Sequence, residues 1–135
     1  MLTKPKHGWT NLQIGDFTER VSYLTDISND CLDAFIYALH TGNPAVIFFD
    51  AEWWDFHLIA SYYCSYVIVD KDKAEVYTIE KTIKELAKDL YDDINNNFDD
   101  WLNWDMDEDE TDEERERNKR GLRKKLSDLE LCLLT

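Results

Sequence analysis

Residues 45–79, AVIFFDAEWWDFHLIASYYCSYVIVDKDKAEVYTI, decide the fold. Ala45 to Asp50 is a short β-branched and aromatic run of the kind that forms a buried strand, and a turn is expected near Ala51 and Glu52. Residues 53–69 then continue without glycine, proline or asparagine. That is long for one strand, so it should bend or bulge near residues 60–63 and pair with two different neighbours. Lys71, Asp72 and Lys73 make a polar turn, and Glu75 to Ile79 returns as the next strand. Strands joined this closely give an antiparallel meander, because parallel pairing needs a long crossover.

The flanks supply one more hairpin and the helices. Trp9, Leu12 and Ile14 precede Gly15-Asp16, and Phe17, Val21 and Tyr23 follow it, the spacing of two short strands around a turn. Residues 25–29 offer helix-capping side chains, and Leu32, Phe35, Ile36 and Leu39 recur at helical spacing until Gly42-Asn43-Pro44 ends the run. From Glu80 the period is again helical through Ile83, Leu86, Ala87, Leu90, Ile94, Phe98 and Trp101, with a weak point at Asn95-Asn96-Asn97, where side-chain amides compete for backbone hydrogen bonds. The spacing predicts a last helix over 111–133: Thr111 and Glu114 match a capping box, and Leu122, Leu126, Leu129 and Leu133 form its stripe. Together these make a single α+β domain over residues 1–135, a meander sheet with about three helices packed mainly on one face.

Charge is segregated along the chain. Ten of the sixteen residues in 99–114 are Asp or Glu and none is basic, whereas 115–125 holds seven Lys or Arg and one Glu. The acidic stretch lies between two helical segments and is therefore expected as a displayed inter-helix loop, with the basic helix folding back to answer part of its field. A net charge of −14 repels nucleic acid and anionic membranes and attracts a basic protein over the Debye length. No apolar run is long enough to span a bilayer and no leader pattern stands at the amino terminus, so the expected location is the cytoplasm. Cys31, Cys64 and Cys132 are odd in number and widely spaced, which speaks against a disulfide framework and a paired-cysteine zinc site; all three are expected as buried thiols.

Two constellations bear on chemistry. Asp105, Asp107, Asp109, Glu113 and Glu116 sit at calcium-loop spacing, but Glu110 replaces the turn glycine and Asp112 the apolar position, so a solvated acidic loop is the simpler reading. Asp50, Glu52, Asp55 and His57 crowd one strand turn, yet strand alternation places Asp55 and His57 on one face and Glu52 on the other, and no lysine or arginine is expected nearby to stabilise a phosphate. With four glycines, no phosphate loop or nucleophile elbow occurs. No enzyme activity and no cofactor are expected.

Tryptophans are the residues that core packing explains least. Trp53 and Trp54 are adjacent and cannot both face one side of a strand, and Trp101 and Trp104 stand at the entrance of the acidic block. Aromatic anchors ringed by carboxylates suit an interface with a basic protein. The expected partner-binding residues are Trp101, Trp104, Asp105, Asp107, Glu108, Asp109, Trp53 and Trp54.

In size, charge and aromatic content, and in the segment Gly8-Trp9, Ile14-Gly15-Asp16-Phe17 and Ser22-Tyr23-Leu24-Thr25-Asp26, the chain resembles the acidic immunity proteins of bacterial polymorphic toxin and contact-dependent inhibition systems. The resemblance implies a non-enzymatic protein that blocks a basic toxin, in particular a nuclease. It carries over no site residues. The alternatives are a nucleic-acid-mimic inhibitor of phage or mobile-element origin, and a divalent-metal enzyme or calcium-binding protein.

Overall fold

The computed structural model describes residues 1–22, 24–104 and 108–135. In chain order they form β1 (Trp9–Ile14), β2 (Phe17–Ser22), α1 (Ile27–Thr41), β3 (Ala45–Asp50), β4 (Asp55–Ala60), β5 (Ser65–Asp70), β6 (Glu75–Ile79), α2 (Ile83–Asn96), α3 (Phe98–Leu102) and α4 (Asp112–Leu134). β1 and β2 pair as a separate two-stranded sheet, and β3-β4-β5-β6 is an antiparallel meander in sequence order. The α+β architecture with helices on the sheet is as the sequence predicts, with α3 as an additional short helix.

The meander differs from expectation at two points. Residues 53–69 are not one bent strand: a turn over 61–64 separates β4 from β5, which pair with each other through Asp55↔Asp70, His57↔Ile68 and Ile59↔Tyr66. That turn is held from outside the sheet, because Ser65 Oγ donates to the Lys81 carbonyl at 2.8 Å and the Ile83 N–H donates to the Ser61 carbonyl at 2.7 Å. The start of α2 thereby supplies the partners that a glycine or asparagine turn would have supplied locally. Second, β3 is buried on one side only. Ala45, Ile47 and Phe49 point inward, while Val46 and Phe48 are exposed.

The core lies between the inner sheet face and the helices. Phe49 and Phe56 stack with ring centroids 4.9 Å apart, and Phe17 reaches Phe56 from the small hairpin at 5.6 Å. Facing them, α1 contributes Leu32 and Phe35, α2 contributes Leu86, Leu90 and Ile94, and α4 contributes Leu122, Leu126 and Leu129. Gly42 ends α1 in the left-handed conformation, at φ 76°, where an L side chain would be strained. The amino-terminal residues are not loose: Leu2 is buried and the Thr3 N–H donates to the Asn11 carbonyl at 3.0 Å.

Both long carboxy-terminal helices begin in capping boxes. At α2, Thr82 Oγ1 accepts from the Glu85 N–H at 3.3 Å; at α4, Thr111 Oγ1 accepts from the Glu114 N–H at 3.1 Å. The second box fixes where the acidic stretch stops and the basic helix starts. Thr111→Ala is expected to cost about 1 kcal/mol, since an orphan backbone donor loses its acceptor. Urea unfolding followed by circular dichroism measures it, and a loss below a few tenths would show the cap to be dispensable.

Candidate functional site

The acidic stretch divides. The helical run from α2 breaks at Asn97, and α3 turns the chain so that Trp101 and Trp104 face inward, at 3% and 5% exposure. Their rings lie 5.4 Å apart, tilted 56°, beside Leu122 of α4. These two indoles are therefore core residues, and the expectation that they anchor a partner is corrected: a side chain with no surface cannot fill a partner's pocket. Their burial closes the gap between α3 and α4, which the polar sequence between those helices cannot fill. Trp101 Nε1 is buried without a hydrogen-bond acceptor among the described residues.

Glu108 and Asp109 are exposed, and Asp105 and Asp107, the first and third positions of the calcium-loop pattern, lie outside the described residues. The basic helix answers the end of the stretch. Arg115 pairs with Glu110 at 3.8 Å and also bonds the Asn103 side-chain oxygen, and Asn118 Nδ2 donates to Glu110 at 2.7 Å. The expected fold-back is seen there. Among the described residues no group of three His, Cys, Asp or Glu is placed to hold a metal ion.

Trp53 and Trp54 behave oppositely to each other. Trp54 packs on Phe56 at 5.4 Å with the Lys71 ammonium 4.4 Å from its ring centroid, a cation–π contact that closes the sheet's end. Trp53 sits at the tip of the β3–β4 turn and is 90% exposed. Glu52 before it has φ 73°, and its N–H donates to Asp50 Oδ1 at 2.6 Å, so the strained turn is held in the shape that presents the indole. Around this tip, residues 50–55 and 70–75 carry six carboxylates and two lysines.

Register brings three of those carboxylates into line. Asp50 lies opposite Asp55, and Asp55 opposite Asp70, across three neighbouring strands on the outer face. None of the three takes part in an ion pair among the described residues. His57, two residues from Asp55, stands against Phe48 at 5.3 Å, ring edge to face, and so belongs to the apolar part of this face.

Two of the thiols expected to be buried are partly exposed. Cys64 Sγ lies 3.0 Å from the Tyr66 hydroxyl, and Cys132 Sγ lies 3.5 Å from His40 Nε2. Burial and the nearby Asp128 carboxylate push the Cys132 thiol above its ordinary range, which disfavours the thiolate a nucleophile needs. Cys31 is buried, and burial raises its thiol further.

The solvent-facing residues of β3 are what sequence reading missed. An unbroken apolar run such as Val46-Ile47-Phe48-Phe49 hides which alternate positions face solvent, and only the placement of the helices settles it. No protein-family model matches this chain, and no curated protein or solved structure is significantly similar to it. No described helix is long and apolar enough to cross a membrane.

Proposed function

We propose that this chain is a non-enzymatic acidic binding protein that blocks a basic protein partner, acting as an immunity protein that neutralises a bacterial toxin nuclease. The observation that supports it most is Trp53, an exposed indole on a braced turn amid the carboxylates of Asp50, Glu52, Asp55, Asp70 and Asp72. An aromatic anchor gives a complex its slow dissociation, and the surrounding negative field speeds encounter with a cationic surface and selects for it. Of the four tryptophans expected to anchor a partner, Trp53 is the exposed one, and it supports this reading in place of Trp101 and Trp104. The net charge of −14 extends that field over the whole molecule.

The test is co-expression with a cationic toxin nuclease encoded beside this chain, with growth as the readout. Protection is expected, and it should weaken when Trp53→Ala is combined with Asp72→Lys, while the purified variant keeps its melting temperature within about 2 °C, as both sites are exposed. Failure to protect sinks the reading. Protection against several unrelated nucleases would replace it with a nucleic-acid mimic.

A further inference from the structure

Among the described residues nothing covers the outer face of the meander. Strand register arranges it in rows: Val46, Ile59, Tyr66 and Thr78 lie side by side across the four strands, and next to them Phe48, His57, Ile68 and Val76. Six of these eight are apolar or aromatic. Val46, Phe48, Tyr66 and Val76 are exposed, although the inner residues of β3 and β5 are buried. An antiparallel sheet with one solvated face ordinarily alternates apolar inside with polar outside, and β3, β4 and β5 do not. The third row on this face is Asp50, Asp55 and Asp70. Like charges placed directly opposite weaken strand pairing, so this row is a cost to the free fold that a cation seated on it would relieve.

Resting on the reading above, we infer that this open sheet face is the docking surface, and that its occupant is the basic protein partner, seated with an apolar patch over the two apolar rows and its lysines or arginines over the aspartate row. Area and charge choose this occupant over a second copy of the chain. With strands about 4.8 Å apart and same-face residues about 6.8 Å apart, the two apolar rows cover on the order of 300 Å². A stable interface needs roughly 800 Å² from each partner. The contact must therefore extend onto the carboxylate row and the Trp53 tip, and a second copy at net −14 presents the wrong sign there. The aspartate row lies at one end of the face, and the 61–64 turn with exposed Tyr63 lies at the other. The face is electrostatically polar along its strands, and the partner binds in one orientation.

The test uses the toxin nuclease domain of the co-expression experiment, catalytically inactivated, as the probe for calorimetric titration, with sedimentation of the chain alone beside it. Phe48→Ser with Ile68→Ser is expected to weaken binding at least 30-fold, mainly through faster dissociation. Val46→Lys, on the sheet's edge strand where a lysine meets solvent, reads the same face if the double variant folds poorly, and should weaken binding about tenfold. Leu131→Ser, exposed on α4, should change nothing. Binding that tolerates both face variants within twofold, yet falls on Trp53→Ala, overturns this inference and leaves the proposed function standing. A native chain that does not bind the probe removes both. A native dimer dispersed by the face variants would make the face a contact between copies and also overturn the inference.

Discussion

Replacing Phe56 by alanine is expected to remove about 3–5 kcal/mol of stability, the usual cost of emptying a buried phenylalanine site. Phe56 has no exposed surface, stacks on Phe49, and meets Phe17 edge-on and Trp54 at a tilt, so one ring joins β3, the small hairpin and the sheet's tip. The neighbours belong to different elements and cannot all move inward at once, which leaves a cavity instead of a collapsed core. Against a total stability of about 5–15 kcal/mol for a domain, this is a third or more. Guanidinium unfolding should show a lower midpoint with an unchanged slope. A loss below about 1 kcal/mol would mean that the ring cluster does not hold the hairpin to the sheet.

Trp101→Ala is the second large effect, and its contrast with Trp53→Ala separates packing from recognition. Trp101 is buried between α3 and α4, so truncation should cost about 3–5 kcal/mol and lower the melting temperature by roughly 10–20 °C. Trp53 has 90% of its surface in solvent, and its truncation should stay within about 0.5 kcal/mol of the native stability. The two tryptophans are chemically the same residue beside similar carboxylates. If Trp101→Ala melted like the native chain while abolishing partner binding, the burial of the Trp101–Trp104 pair in the free protein would be wrong.

The candidate site was partly legible before the structure. Its ingredients, tryptophans beside carboxylates in a chain of net negative charge, follow from residue types alone. Which of those tryptophans stays exposed does not. Trp101 and Trp53 both border acidic turns, and local pattern cannot distinguish an indole that a short helix turns inward from one that a strained turn holds out. The apolar outer face escaped notice for a related reason: Phe48 and Phe49 are identical in sequence terms, and their roles diverge only because helices cover one side of β3.

By itself the sequence determined the elements whose signals are local: the Gly15-Asp16 hairpin, the glycine-ended first helix, the break at Asn97, the capping box at Thr111 and the meander order of the sheet. Each depends on hydrogen bonds and backbone preferences within a few residues, which composition and spacing encode directly. Only the tertiary structure decided that residues 61–64 form a turn, that Trp101 and Trp104 enter the core, and that no described residue covers the outer sheet face. Those outcomes depend on groups distant in the chain, the Lys81 carbonyl at Ser65, α4 over α3, the helices over the inner strands, and burial is a property of what arrives from elsewhere.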